Sequence, residues 1–157
     1  MVAIRAFESD ADAEWAAATM AASEPWITLA TGFERSLKLL RNDTRERYLA
    51  TASGEPAGFL VISMQGAFVG YIQLLGVAPA MRGRGVGAAL IAFAEHRIFR
   101  DTPNVFICVS DFNSQAQGFY AKLGYRRIGE LEDFIIAGHS EILLRQTTGP
   151  LRPGTTA

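Results

Sequence analysis

Residues 75–88 read Leu75-Gly76-Val77-Ala78-Pro79-Ala80-Met81-Arg82-Gly83-Arg84-Gly85-Val86-Gly87-Ala88. A strand-like apolar stretch precedes this segment, and residues with helical spacing follow it to about Phe99. Its glycines let the backbone approach a ligand without a clash from a Cβ atom. The first amides of a helix have no partner within the helix, and with the helix dipole they favour an anion. The segment therefore predicts a pyrophosphate site, to which Arg82 and Arg84 add positive charge.

The chain on either side of this segment predicts an α/β domain with a mixed sheet. Three strands precede the segment and are joined by short turns, which favours an antiparallel meander. The predicted strands are 2–7, 47–52, 58–64, 68–77, 105–109, 126–129 and 141–145. The predicted helices are 10–22, 33–40, 86–99 and one that begins at Asn113 or Ser114. The resulting order is β-α-α-β-β-β-α-β-α-β-β.

Length and composition narrow the class of protein. The chain has 157 residues, of which 49% are hydrophobic and 20% charged, and we expect one domain over 1–146 with a flexible tail over 147–157. A net charge of -1 gives no basis for a nucleic-acid or membrane partner. The first residues lack a signal-peptide core, so we expect a cytoplasmic protein. One cysteine, Cys108, and two histidines do not make a usual zinc site.

The same glycines also fit a dinucleotide-binding protein. Residues 83–88 spell G-x-G-x-x-A, and Asp111 at the end of the next strand could bind a ribose. That fingerprint needs a tight turn directly after the strand and two βαβ halves. Four residues intervene here, and a meander precedes the loop. A dinucleotide-dependent oxidoreductase is therefore a remote alternative.

Two motifs resemble those of the GNAT N-acetyltransferase superfamily. Arg82-x-x-Gly85-x-Gly87 looks like the family's R/Q-x-x-G-x-G/A signature. One helix and one strand later, Asn113-x-x-Ala116-x-x-Phe119-Tyr120-x-Lys122-Leu123-Gly124-Tyr125 resembles its second motif. By motif the resemblance covers residues 75–125, and by element order residues 4–145. It implies a single-domain GNAT-like fold, with a mixed, mostly antiparallel central sheet flanked by helices.

The resemblance also implies a site for acetyl-CoA as cosubstrate, without a metal. Backbone groups near Leu75 and Val77 would bind the pantetheine arm, in a gap that a bulge in this strand opens. The pyrophosphate would lie on the amides of Arg82, Gly83, Arg84, Gly85, Val86, Gly87 and Ala88. Tyr120 would protonate the leaving thiolate, because phenol and thiol pKa values lie within about 2 units of each other. Asn113 would contact the cofactor arm or, equally well, cap a helix. Tyr120 could instead be a core aromatic.

A general base is harder to assign. Many family members carry a carboxylate on the strand before the loop, but residues 70–75 contain none. His139 is the predicted base because its ordinary pKa suits proton transfer near neutral pH. The other candidates are Asp111, Glu132, Asp133, Glu141 and a water relay.

The acceptor should lie between residues 23–32 and 131–140, where Trp26, Phe33 and Phe134 could form an apolar wall or pin the loops to the core. The sequence has no dense acidic cluster that would indicate a polycationic acceptor. The sequence thus predicts an acetyl-CoA-dependent N-acetyltransferase that acts on a primary amine of a small molecule or peptide. A non-catalytic acyl-CoA-binding module is the alternative. A homodimer paired through terminal strands, with Ile142-Leu143-Leu144 in one of them, is also open.

Overall fold

The structure, a computed structural model, describes residues 1–155, and its elements follow the predicted order. The strands are β1 (Val2–Ala6), β2 (Glu46–Ala52), β3 (Glu55–Ser63), β4 (Tyr71–Val77), β5 (Asn104–Ser110), β6 (Arg126–Leu131) and β7 (Glu141–Thr147). The helices are α1 (Asp10–Ala21), α2 (Gly32–Leu40), α3 (Val86–Ile98) and α4 (Ser114–Lys122), with a short 3-10 turn at Pro79–Met81. No helix within residues 1–155 is long and apolar enough to span a bilayer.

The seven strands form one sheet in the order β1-β2-β3-β4-β5-β7-β6. β4 and β5 run parallel, whereas the other neighbouring pairs of the described sheet are antiparallel. The predicted mixed, mostly antiparallel sheet is therefore confirmed. A single parallel pair cannot build the two mononucleotide-binding halves of a dinucleotide fold, so the topology contradicts that alternative.

Helices cover both faces of the sheet and bury two apolar clusters. On one face, Leu90 and Ile98 of α3 and Tyr120 of α4 pack against Ile72 and Ile107 of the sheet. On the other face, α1 and α2 pack against Phe59, Val61 and Leu74. β4 contributes to both clusters, which places it between the two layers of helices.

The starts of β3 and β4 differ most from prediction, and backbone geometry is the reason. Ser53 and Gly54 both have positive φ, 53° and 80°, which makes a tight two-residue hairpin turn. β3 consequently begins at Glu55 instead of Gly58. Gly70, with φ of 90°, donates its amide to the Ser63 carbonyl. This turn keeps residues 68–70 out of β4, in contrast to the strand predicted from Phe68.

β7 lies inside the sheet, between β5 and β6. Ile142 and Leu144 are buried within their own chain, so they are not available as the edge of a dimer. The outer strands of the described sheet are β1 and β6, and a homodimer stays a prediction. β7 extends to Thr147, the first residue of the predicted tail. Residues 156–157 of that tail lie outside the described residues.

Candidate active site

The glycine-rich segment after β4 places the N-terminus of α3 at the edge of the sheet. Gly83 and Gly85 have positive φ, 72° and 79°, a conformation that costs glycine little. Gly85 is the N-cap of α3, and its carbonyl accepts from the Ala89 amide at 3.0 Å. Residues 86–88 precede Ala89 in the chain, and their amides have no acceptor within the helix. They are therefore free to hold an anion.

The space beside this N-terminus is open and carries positive charge, as an anion would require. A Cβ atom at Gly83 or Gly85 would meet no atom within 4 Å, so the space beside the loop is open. Arg82 and Arg84 are exposed, and neither pairs with a carboxylate of the described chain. Val86 is 1% exposed, and its side chain belongs to the core. Val86 can thus contribute only its backbone to a ligand.

β4 and β5 separate beside this loop. They pair at Tyr71 with Phe106 and at Ile72 with Ile107, and no further. Between β3 and β4 the register shifts, because Ile72 lies opposite Ile62 and Leu74 opposite Val61, which leaves Gln73 as an extra residue. The predicted bulge and the gap beside it are thus confirmed.

The open edge of β4 faces this gap. The Ala78 amide donates to the Ala57 carbonyl at 2.8 Å, so residue 78 points toward β3. Backbone groups of successive strand residues point to opposite sides. Leu75 and Val77 therefore direct their amides and carbonyls into the gap, as a linear thioester arm would require.

α4 brings Tyr120 and Asn113 to the same gap. Tyr120 is 5% exposed and lies between the rings of Phe119 and Tyr125, at centroid distances of 5.2 and 5.6 Å. Burial raises the pKa of Tyr120 well above its ordinary value, so the phenol keeps its proton at neutral pH. The Asn113 side chain accepts from the Ala116 amide at 3.2 Å and caps α4. Both residues also line the large cavity beside the gap.

This cavity has a volume of about 780 Å³ and crosses from the gap to α2. Trp26 and Phe134 line it, as the apolar-wall prediction required. Trp26 also packs on Phe59 at a centroid distance of 5.8 Å, so it pins the loop to the core as well. Phe33 is 38% exposed and is not part of the wall, because α2 turns it away from the cavity.

The candidate bases separate into two groups. His139, Asp111, Glu132 and Asp133 are not among the residues that line the cavity. The Nδ1 atom of His139 lies 3.0 Å from Asp111 Oδ1, and its ring packs edge-on against Phe112. The pKa of Asp111 is lowered mainly by the hydrogen bond from the Ser140 amide and to a smaller extent by the His139 ring. The base role of His139 stays a prediction.

Glu141 is different, because it is buried and lines the cavity. It is 5% exposed, and its Oε2 atom has no hydrogen-bond partner among the described residues. Burial raises the pKa of this carboxyl above its ordinary value. Cys108, which also lines the cavity, has its pKa raised by burial too, so it is a thiol and not a nucleophilic thiolate at neutral pH.

Comparison with known proteins decides the family. A family model described as the acetyltransferase (GNAT) family matches residues 5–125. The chain belongs to this family. An acetyltransferase of Yersinia enterocolitica is 34% identical over 118 residues, 73% of this chain and 76% of the relative. Blasticidin-S acetyltransferase of Streptomyces morookaense is 33% identical over 99 residues, 63% of this chain and 72% of that protein.

The fold agrees with solved GNAT structures. An aminoglycoside 6'-N-acetyltransferase complexed with coenzyme A superposes with a TM-score of 0.75 at 17% identity, over 97% of this chain and 99% of that one. The predicted GNAT-like fold is thus confirmed. As a GNAT protein the chain is an acetyl-CoA-dependent N-acetyltransferase, which removes the non-catalytic binding module as an alternative.

One wall of the cavity, formed by residues of α2 and β4, was not predicted from the sequence. Arg35 and Lys38 of α2 line it, together with Tyr71 and Gln73 of β4. Their i and i+3 spacing places the two cations on one side of α2. That spacing does not indicate which part of the sheet this side will face, so only the packed structure brings them to the site.

Proposed function

We propose that this enzyme acetylates the primary amine of a small acceptor that enters the cavity from the α2 side. The single observation that carries the proposal is the position of Tyr120. It lines the same cavity as Trp26 and Phe134, on the side where β4 and β5 separate. A proton donor, an open strand edge and an apolar acceptor wall therefore share one space.

The residues divide the work by their chemistry. The amides of residues 83–88, with the side chains of Arg82 and Arg84, would hold the pyrophosphate. The Arg82 amide, which was also expected from the sequence to bind it, is not available, because it donates to the Pro79 carbonyl at 3.4 Å. Leu75 and Val77 would hold the pantetheine arm, and Asn113 supports α4 beside it. The bound cosubstrate supplies an activated acetyl group. Tyr120, which carries its proton at neutral pH, would donate that proton to the sulfur that leaves.

The size of the cavity favours a small amine over a protein surface. Small-molecule sites typically enclose about 300–1,000 Å³, and the acetyl donor and the acceptor must share this volume. An exposed peptide N-terminus is the other acceptor that such a cavity could admit. A cytoplasmic location and a homodimer both stay predictions.

Calorimetric titration of the purified chain with acetyl-CoA, CoA and NAD is the first test. We expect acetyl-CoA and CoA to bind and NAD not to bind. A panel of amines and short peptides, followed by release of free CoA thiol, then identifies the acceptor. Absence of acetyl-CoA binding would contradict the assigned site.

A further inference from the structure

Glu141 is a buried carboxyl in the cavity wall that can bind a hydrogen-bond donor of a ligand. Among the described residues that line the cavity it is the one carboxylate, and it is 95% buried. Ser110 lies directly opposite on β5, and its hydroxyl, the donor nearest to the Glu141 carboxyl, partly offsets the effect of burial on the pKa of Glu141 without making a hydrogen bond of full geometry. Burying a carboxylate without donors costs free energy. A ligand that brings a donor to Glu141 would recover this cost.

The groups around Glu141 favour a cation there. Tyr71 and Cys108 face it, and burial raises the pKa of each, so both are uncharged at neutral pH. Asp111 is also near, and its lowered pKa keeps it ionised. No cation of the described residues forms an ion pair with Glu141. Glu141, the one carboxyl among the described residues that line the cavity, therefore has no countercharge on the sheet side.

The opposite wall carries the opposite charge. Arg35 and Lys38 of α2 line the cavity, are exposed at its mouth, and pair with no carboxylate of the described chain. The Arg35 guanidinium makes one long bond, 3.5 Å, to the Ala30 carbonyl. Both cations thus keep donors for a ligand.

We propose that the acceptor is a primary amine that also carries a carboxylate or phosphate group. Its ammonium group lies at Glu141, and its anionic group lies at Arg35 and Lys38. This inference rests on the proposed function, for which it names the substrate class and the proton acceptor.

The proton balance follows from these positions. The ammonium gives one proton to Glu141, which passes it to solvent, and the free amine forms the new C–N bond as the C–S bond breaks. The nitrogen then loses a second proton. That proton replaces, at Tyr120, the one that the phenol gives to the sulfur. The products are the amide, the CoA thiol and one released proton.

The first experiment compares acceptors that differ in charge. The probes are alanine, leucine, phenylalanine and O-phosphoethanolamine, each compared with the matching amine that lacks the anionic group, the amino-acid amide or ethanolamine. We expect the anionic probe of at least one pair to have a kcat/KM about 10-fold higher or more, a difference of about 1.4 kcal/mol. The pair that responds distinguishes a carboxylate from a phosphate. Preference for the amines without an anionic group would overturn the proposal.

The second experiment removes the cations. In the double variant Arg35→Gln/Lys38→Gln, the ratio of kcat/KM between the probe with an anionic group and its counterpart without one should fall to about one, mainly because KM rises for the former. Lys122→Gln is the matched control, because this lysine is exposed on α4 and does not line the cavity. An undiminished preference in the double variant would overturn the anion site.

The third experiment tests the proton acceptor. Glu141→Gln should lower kcat/KM by about 100-fold at neutral pH, and the loss should shrink as rising pH supplies free amine. Glu130→Gln, an exposed carboxylate on β6, is the control. A loss that does not change with pH would mean that Glu141 is structural. A loss seen instead in His139→Ala would assign the base to His139.

These outcomes separate the inference from the function it rests on. If acetyl-CoA does not bind, the proposed function itself fails. If acetyl-CoA binds but none of the probes is acetylated, the acceptor class alone is wrong.

Discussion

Gly85 has a positive φ and open space beside it, and two substitutions can show which of these matters for binding. Gly85→Ala should weaken acetyl-CoA binding at least 10-fold, since its Cβ would enter the space assigned to the pyrophosphate. Positive φ alone costs a non-glycine residue about 1–2 kcal/mol of stability. Gly66→Ala controls for this strain, because Gly66 also has a positive φ, 83°, and open surroundings. Equal affinities by calorimetry would contradict the loop assignment.

The Tyr120 hydroxyl should contribute to catalysis and not to the stability of the fold. Tyr120→Phe should reduce kcat by about 100-fold while the affinity for acetyl-CoA stays unchanged. Tyr125→Phe is the comparison, since its hydroxyl donates to Glu95 at 2.9 Å outside the cavity. That variant should lose stability and keep its turnover. An unchanged kcat in Tyr120→Phe would remove the proton-donor role.

Glu141 should also leave a signature in stability that needs no acceptor. Its pKa is raised in the folded chain by burial, so the stability it contributes is complete below its unfolded pKa and is lost as pH rises through the folded value. Glu141→Gln lacks this loss. The variant should therefore gain in Tm relative to the wild type as the pH rises from the ordinary carboxyl pKa of 4.5 toward neutral. A constant difference in Tm across this range would contradict a buried, unpaired carboxylate.

At the scale of elements, the position of α3 depends on close contact with β3 at Gly58. A Cβ atom there would lie 3.1 Å from Val86 Cγ1 and 2.8 Å from the Gly76 carbonyl oxygen. Gly58→Ala should lower the free energy of unfolding by about 1–3 kcal/mol through overpacking. It should also weaken acetyl-CoA binding, since Val86 begins the helix that carries the proposed anion site.

Gly118→Ala gives the contrasting control. Gly118 lies within α4, and a Cβ there would meet no atom within 4 Å. Alanine in a helix interior is favoured over glycine by about 1 kcal/mol, so this variant should be more stable than the wild type. Thermal unfolding of Gly58→Ala and Gly118→Ala measures these opposite changes in stability. A stable Gly58→Ala variant would show that α3 can move away from the sheet without loss.

Element order was predictable because each helix and strand carries a local pattern. The alternation of apolar residues and the glycine and proline breaks act within about ten residues, and they located all eleven elements. Strand ends were less predictable. The turn at Ser53 and Gly54 and the turn at Gly70 depend on positive φ angles, which the hydrophobic pattern does not encode.

At the scale of the whole molecule, binding of acetyl-CoA should be visible as stability. A ligand that binds the folded chain alone raises the free energy of unfolding by about 2.7 kcal/mol at 100 times its Kd. Acetyl-CoA and CoA should therefore raise Tm as their concentration rises, and NAD should not. Gly85→Ala should lose this shift and Glu141→Gln should keep it. A shift with NAD of equal size would contradict the CoA assignment.

The sequence by itself determined the family and the order of the elements, and it predicts the cofactor loop, because these depend on residues that are close together along the chain. The glycines, the arginines and the helix start of residues 82–88 act through local backbone geometry. The tertiary structure decided the acceptor side. Arg35, Lys38, Gln73 and Glu141 belong to three elements far apart in sequence, and sheet order and helix packing place them around one cavity. Whether a polar residue meets solvent, a partner or an empty cavity is set by such long-range packing, and no local pattern records it.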